Sequence, residues 1–237
     1  MTNDQIMTNN KIPVITIDGP SGAGKGTISL RVAKHFGWHT LDSGAIYRVL
    51  AIAAHQNQIS LTDETALANL AAHLEVHFAP LPDLSGTQVI LEGQDVSLSL
   101  RTESCGAAAS QIATYSVVRQ ALLERLRAFR QAPGLVADGR DMGTVVFSDA
   151  LYKFFLTASA EERAQRRYKQ LKEKGINAKL SNLITEIAQR DKRDSTRAIA
   201  PLIAAADALV IDTTGSPIEK VVARILERVE IAIEKPN

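Results

Sequence analysis

Residues 19 to 27 read Gly-Pro-Ser-Gly-Ala-Gly-Lys-Gly-Thr and directly follow the apolar run at residues 12–17. This order predicts a buried strand, a glycine-rich turn and a helix that begins near Lys25. Without a Cβ, glycines let the backbone wrap closely around phosphate, so that amide N–H groups point inward and the helix adds its positive end. Lys25 supplies a mobile charge for the β- and γ-phosphates. We therefore expect a nucleoside triphosphate site formed by Gly19, Pro20, Ser21, Gly22, Ala23, Gly24, Lys25, Gly26 and Thr27.

The loop departs at one position from the phosphate-binding pattern G-x-x-x-x-G-K-[ST]. Gly26 follows the lysine, and the hydroxyl comes one residue later, at Thr27. The usual direct hydroxyl–Mg²⁺ bond is therefore in question, and Thr27 is left to act on phosphate or through water. We assign no direct metal ligand. The alternative is a glycine-rich strand–helix turn that holds a lysine by coincidence, and four glycines with a Lys-Gly-Thr ending argue against it.

Composition narrows the class of protein. The chain has 237 residues, a net charge of +1 and a single cysteine, Cys105. We expect a cytoplasmic protein, because one cysteine suits a reducing compartment and residues 1–10 form a polar, loose tail without a signal-peptide layout. No apolar run is long enough to span a membrane. Eleven basic residues against four acidic ones fall in 163–197, but Tyr168 is the only aromatic residue among them, which disfavours nucleic-acid binding.

Apolar runs at 13–17, 134–137, 151–156 and 208–211 alternate with helical patterns. The runs are mostly continuous, as in parallel strands covered on both faces. We predict an α/β fold with a doubly wound parallel sheet and the phosphate loop at a strand's carboxyl end. Ser159 with Glu162 is a candidate capping box, and Ser181 a candidate cap for the following helix. Helices are expected at 26–36, 44–56, 116–130, 160–174, 182–193 and 217–234.

Residues 62–104 interrupt this alternation. A short Ala-rich helix at 62–74 is followed by three short predicted strands at 74–79, 87–91 and 95–100, with Pro80, Pro82, Gly86 and Gly93 between them. We interpret the segment as a small inserted α+β subdomain.

Four segments outside the loop combine charge with turn-forming residues. Ser43 and Arg48 lie at a predicted helix start, where free amides favour an anion. Asp138, Arg140 and Asp141 follow a strand, at the edge where such sheets bind ligands. Several mobile arginines are a common means of neutralising a transferring phosphoryl group. The simpler alternatives are an N-cap with a surface arginine for the first segment, a turn closed by its own salt bridge for the second and a solvated, charge-paired helix end for the fourth. The third segment contains Ser110 with Arg119, and the fourth contains Arg190, Arg193, Asp194 and Arg197.

The segments 19–27, 41–48, 135–147 and 191–201, in this order and spacing, resemble bacterial-type cytidylate kinase. The similarity runs from about residue 12 to the last helix and includes the insert. It implies a P-loop kinase with a five-stranded parallel sheet, a monophosphate-binding region at 43–106, a helical lid at 159–197 and core elsewhere. It further implies phosphoryl transfer from ATP to CMP and dCMP with Mg²⁺. Nothing in the sequence requires more than one copy of the chain, so we expect a monomer.

The resemblance also assigns residue roles. The acceptor phosphate would be held by Ser43, Arg48, Arg140 and Arg197, and the sugar by Arg190 and Asp194. Cytosine would be recognised by Ser110, Arg119 and Asp141. Asp138 would orient Mg²⁺-bound water. Lys25, Arg140 and Arg197 would stabilise the transferring charge, while the lid would bring three arginines near ATP: Arg163, Arg166 and Arg167.

Three other functions fit parts of the sequence. Another small-molecule kinase, with uridylate or a polyol as acceptor, would share the phosphate loop but not the set Ser110, Arg119 and Asp141. A nucleotide switch or nucleic-acid-stimulated ATPase would need an effector surface or a stronger basic groove. A regulatory module could retain nucleotide sites without turnover, although Lys25, Arg140 and Arg197 argue against it.

Overall fold

The computed structural model describes residues 11–80, 87–173 and 175–234. The predicted tail at 1–10 and the predicted turn residues Pro82 and Gly86 lie outside these ranges. The chain divides into two compact units. Unit 1 contains Met1–Asp42 and Arg127–Asn237, and unit 2 contains Ser43–Leu126.

Unit 1 is built on a parallel sheet of five strands in the order β2-β6-β1-β7-β8. This confirms the predicted α/β class and the strand number. The short strand β2 was not predicted from the apolar runs, because only Leu41 among its residues is buried. The strands are β1 (Val14–Asp18), β2 (His39–Asp42), β6 (Leu135–Gly139), β7 (Tyr152–Thr157) and β8 (Leu209–Asp212).

Burial explains why β1 and β6 occupy the interior of this sheet. Every residue of both strands is buried, as expected where helices cover both faces. The main core of unit 1 joins residues of β1, β6, β7 and β8 to apolar side chains of α1 and α8. Gly134 lets Trp38 pack closely, since a Cβ there would lie 2.4 Å from the indole Cδ2. The helices of unit 1 are α1 (Lys25–Phe36), α6 (Ala160–Glu173), α7 (Leu180–Ser195) and α8 (Ile218–Glu234).

Helices α6 and α7 share a small apolar core of their own around Ala164, Leu171 and Leu183. The Ser159 hydroxyl accepts the Glu162 amide at 3.1 Å, so Ser159 caps α6 as predicted. The other half of the predicted capping box is not formed, because the Ser159 amide donates to Thr214 and the Glu162 carboxylate accepts from Arg166. The prediction of Ser181 as the cap of α7 was wrong. That helix begins at Leu180, so Ser181 lies within its first turn and Lys179 precedes it. Among the described helices, none is both long and apolar enough to cross a bilayer.

Unit 2 contains the predicted insert as a helix and an antiparallel three-stranded sheet. The third predicted strand, 95–100, is instead the two-residue β5 followed by a 3₁₀ turn at Ser99–Arg101. The small-residue stretch around Cys105, not predicted as a helix, forms α4, and the Thr102 hydroxyl caps it by accepting the Cys105 amide. Unit 2 comprises α2 (Ser43–Gln56), α3 (Glu64–Ala72), β3 (Val76–Pro80), β4 (Thr87–Leu91), β5 (Gln94–Asp95), α4 (Glu103–Ile112) and most of α5 (Ser116–Arg127).

Candidate active site

The glycine-rich loop joins β1 to α1 at the carboxyl edge of the sheet, as predicted. Gly19, Gly22 and Gly24 have φ values of 147°, 81° and 93°, a region that side chains disfavour. A Cβ on Gly19 would also lie 2.2 Å from the Leu156 carbonyl oxygen. The helix begins at Lys25, and Gly24 contributes no side-chain cap to its first turn. The loop therefore has the backbone of an anion-binding turn.

Lys25 is buried under this loop, where its ammonium donates to the Pro20 carbonyl at 2.9 Å. Burial lowers its pKa to about 7, and the nearby Arg140 and Arg190 add to this effect against the attraction of Asp138 and Asp42. An anionic ligand stabilises the charged form of such a buried ammonium, because phosphate replaces the hydration that burial has removed.

Arginines gather around the carboxylate of Asp194, which is almost fully buried. Arg140 donates from Nε to one oxygen at 2.8 Å, and Arg197 donates to the other. Burial alone would raise the pKa of Asp194, but the positive charges of Arg140, Arg197 and Arg190 outweigh it and hold the pKa below its usual range. Of the predicted site residues, Arg140, Arg190, Asp194 and Arg197 are thus brought together.

The three arginines of α6 that were predicted near ATP make different contacts. Arg163 is buried and pairs both terminal nitrogens with Asp191, at 3.0 and 2.5 Å, while it also donates to the Ser21 carbonyl in the loop. Arg166 donates to Glu162 and to Thr213. Arg167 reaches Gln170 at 3.5 Å. Arg163 thus connects the phosphate loop to α7, and a role of these arginines at ATP stays a prediction.

Carboxylates line the same edge of the sheet. Asp138, the penultimate residue of β6, is the register partner of Asp42, which ends the neighbouring strand β2. Burial, together with the charge of Asp42, raises the pKa of Asp138 well above its usual value. Its Oδ2 lies 4.0 Å from the position of a Cβ on Gly26, which places the carboxylate at the start of α1.

This placement suits a magnesium ion carried by a nucleotide. Within the described ranges, no cluster of three His, Cys, Asp or Glu side chains could hold a metal. Mg²⁺ in kinases needs no such cluster, because it takes one or two carboxylates together with phosphate oxygens and waters. Asp138 beside Gly26, with the exposed Thr27 directly after that glycine, fits that requirement.

Sequence reasoning missed Asp18, which is buried at the end of β1. Its two oxygens accept the amides of Met142 and Gly143 at 2.9 and 2.8 Å. The available signal was a carboxylate that ends an otherwise apolar strand directly before the loop. Asp191, the partner of Arg163, was missed because no local pattern distinguishes it from other charges on α7.

In unit 2, Arg48 projects from α2 onto the start of α4. Its Nη1 donates to the carbonyls of Leu100 at 2.6 Å and Thr102 at 3.2 Å. Gly106 faces the guanidinium, since a Cβ there would lie 2.8 Å from Nη2. The two carbonyls and the small residue Gly106 thus fix the position of the Arg48 guanidinium. Ser43, at the first position of α2, is buried.

Ser110 and Arg119 also belong to unit 2. Arg119 is buried, donates to the Ala113 carbonyl at 3.3 Å and lies 5.8 Å from the centre of the Tyr47 ring. The Ser110 hydroxyl is buried, and within the part of the chain that the structure describes it has no hydrogen-bond partner. Buried hydroxyls are normally bonded, so this one is available to a ligand.

Lys25→Met is expected to stabilise the protein near pH 7 by about 1 kcal/mol or more, because it removes an ammonium whose burial disfavours the charged form while it keeps the side-chain volume. The wild-type pKa lies below that of the unfolded chain, so wild-type stability rises as pH increases from about 7 to 10.5. The variant should lack this rise. Urea unfolding from pH 6 to pH 10 measures both effects. Lys34→Met, at an exposed site on the same helix, is the control and should keep the rise; a less stable Lys25→Met protein would contradict the prediction.

Comparison with known proteins places these features in a family. The family model described as cytidylate kinase matches residues 15–231. The chain is 59% identical to a cytidylate kinase of Shewanella frigidimarina, over 93% of this chain and 96% of that protein. It is likewise 59% identical to a cytidylate kinase of Proteus mirabilis, over 91% of this chain and 95% of the relative. With the phosphate loop, the five-stranded parallel sheet and the arginines at its carboxyl edge, the chain belongs to the cytidylate kinase family and is a kinase.

Proposed function

We propose that this protein transfers the γ-phosphoryl group of ATP to CMP and dCMP, giving ADP with CDP or dCDP, in a Mg²⁺-dependent reaction. The observation that carries the proposal is the match to named cytidylate kinases over nearly the whole chain. We further propose that it acts in the cytoplasm as a monomer, without nucleic-acid or membrane partners.

The donor half of the site is assigned to the phosphate loop, residues 19–27. Its amides and Lys25 cradle the β- and γ-phosphates, and the lowered pKa of the lysine favours this, because a polyphosphate restores the charged ammonium. Asp138 would hold Mg²⁺ through water with Thr27 at the phosphates, and the ion would neutralise charge on the β- and γ-oxygens. The lid at 159–197 closes over ATP in this proposal and brings Arg163, Arg166 and Arg167 to the donor.

The acceptor is assigned to the residues that the family resemblance gives for it. Its phosphate binds Ser43, Arg48, Arg140 and Arg197, and its sugar hydroxyls bind Arg190 and Asp194. The contacts of Asp194 support this assignment, because its carboxylate holds Arg140 and Arg197 together by hydrogen bonds and charge.

The transfer itself needs little covalent chemistry from the protein. An oxygen of the acceptor phosphate attacks the γ-phosphorus of ATP, and the bond from that phosphorus to the β,γ-bridging oxygen breaks. The electron pair leaves with ADP, so negative charge builds on the transferred oxygens. Lys25, Arg140 and Arg197 stabilise that charge. Excluding water matters equally, since hydrolysis of ATP would otherwise compete.

Cytosine recognition is assigned to Ser110, Arg119 and Asp141. Cytosine offers acceptors at N3 and O2, which suit the guanidinium of Arg119. Its amino group donates to an acceptor such as the Asp141 carboxylate or the Ser110 hydroxyl, which has no hydrogen-bond partner among the described residues. Uracil has an oxygen where cytosine has that amino group, and a carboxylate opposes it. A site of buried polar groups rejects such a mismatch by about 10⁴-fold or more.

The test of the function is ADP formation from ATP and Mg²⁺ with CMP, dCMP, UMP or AMP as acceptor. Turnover with CMP and dCMP well above UMP and AMP is the expected result. Preference for another acceptor would keep the kinase and reject the assigned base pocket. ADP release that is independent of every acceptor would indicate an ATPase and overturn the proposal.

Arg197→Ala should lower kcat by about 10²–10⁵-fold, because it removes a charge that faces the transferring group. The measurement is steady-state kinetics with saturating CMP and ATP. Arg193→Ala is the matched control, since Arg193 lies shortly before Arg197, in the last turn of α7, but is exposed, and it should change kcat less than threefold. A folded Arg197→Ala enzyme with near wild-type kcat would remove Arg197 from the catalytic set.

Gly106→Ala should raise KM for CMP by about tenfold and leave KM for ATP within threefold, because a Cβ at residue 106 displaces the Arg48 guanidinium from its position against α4. Alanine favours helix over glycine, so the variant should not lose stability through α4 itself. In an Arg48→Ala background the same change should have no further effect on KM for CMP. Additive effects in this double-mutant cycle would contradict the link between the two residues.

A further inference from the structure

Asp18 makes an unusual pair of contacts across unit 1. The last residue of β1, it points both carboxylate oxygens at consecutive backbone amides, those of Met142 and Gly143. Only 4% of the residue is exposed. A carboxylate that accepts two amides at 2.8–2.9 Å holds their backbone in a single direction.

The two amides begin a wide helical turn, Met142–Val146. The first N–H groups of such a turn have no partner within it and need an acceptor from outside. Asp141, which precedes the turn, gives no side-chain cap. Its carbonyl instead accepts the amides of Val145 and Val146 at 2.9 and 3.2 Å. The cap is therefore supplied by Asp18, a residue more than a hundred positions away in sequence.

The fit is close on both sides of this contact. Gly143 can approach β1 only because it lacks a side chain, since a Cβ would lie 2.8 Å from the Thr16 hydroxyl and 3.4 Å from an oxygen of Asp18. On the far side, Arg127 donates to the carbonyl of Val146 at 3.2 Å and holds the end of the turn. The turn is thus fixed at both ends, and its first residues follow directly on Arg140 and Asp141.

We propose that Asp18 is a positioning residue for acceptor recognition: by capping the turn at Met142 and Gly143, it sets where Asp141 presents its carboxylate to the base. This inference rests on the proposed function, in which Asp141 selects cytosine. Asp18 itself touches no substrate in this scheme. Its effect on the reaction runs through the backbone of the turn.

The charge of Asp18 indicates that the contact serves more than stability. Burial raises its pKa to about 6 even though the two amide bonds act in the opposite direction. A raised pKa means that the ionised carboxylate weakens the folded state at neutral pH. An amide side chain would avoid that cost but could offer only one acceptor to the two N–H groups. Two acceptors at this position require the carboxylate.

The decisive variant is Asp18→Asn, assayed for kcat/KM with CMP and with UMP. The preference for CMP should fall about tenfold, while KM for ATP stays within threefold and the melting temperature is equal or higher. A folded variant whose CMP-to-UMP ratio falls less than threefold overturns the inference, including one in which both acceptors lose activity equally. Amide hydrogen exchange gives a readout independent of activity, since Met142 and Gly143 should exchange at least tenfold faster in the variant.

Two further variants complete the design. Thr16→Val is the matched control, because it keeps the volume beside Gly143 and leaves Asp18 in place, and it should not change the ratio. Gly143→Ala displaces the turn from the other side, should lower the ratio as Asp18→Asn does, and decides the question if Asp18→Asn does not fold. A wild-type enzyme without a CMP preference overturns both the proposed base pocket and this inference. A wild-type preference that survives in Asp18→Asn overturns this inference alone.

Discussion

The arrangement of positive charge in unit 1 depends on the buried carboxylate of Asp194. Arg140 and Arg197 bond its two oxygens, and the charge of Arg190 also acts on it. Three guanidinium groups that are partly withdrawn from water repel one another, and they stay close only when an anion offsets that repulsion. A carboxylate of the protein itself thus holds these positive charges close together. A ligand then has less reorganisation to drive, which is the physical meaning of a preorganised site.

The carboxyl edge of the sheet carries charges that weaken the folded state. Burial shifts the pKa of Lys25 down and that of Asp18 up, each toward the neutral form. Neither shift helps the protein to fold at neutral pH. The large apolar core on β1 and β6 supplies the stability that allows such a site to persist. Strain concentrated where phosphate and base are expected to bind is typical of functional sites.

Sequence reasoning worked where chemistry depends on spacing along the chain. The loop at 19–27 and its glycines were predicted from backbone requirements, and continuous apolar runs identified the central strands. It failed for elements and contacts that leave little signal in the local sequence. Strand β2 has one buried residue and little pattern, and α4 was hidden because small residues such as Gly106 carry a weak helical signal. Contacts such as Asp18 with the Gly143 amide join positions 125 residues apart, which no local pattern can indicate.

The pairing of Arg163 with Asp191 bears on how sequences of this kind can diverge. The guanidinium meets both carboxylate oxygens while it also holds the carbonyls of Ala158 and Ser21. Lysine has no planar fork, so it could satisfy only part of this set. Losing Asp191 alone would leave the buried charge of Arg163 unmatched, which is more costly than losing both partners, and losing Arg163 alone would leave the partly exposed Asp191 without its partner. Substitution at the two positions is therefore constrained to be concerted, and they should vary together across related chains even though they lie on different helices.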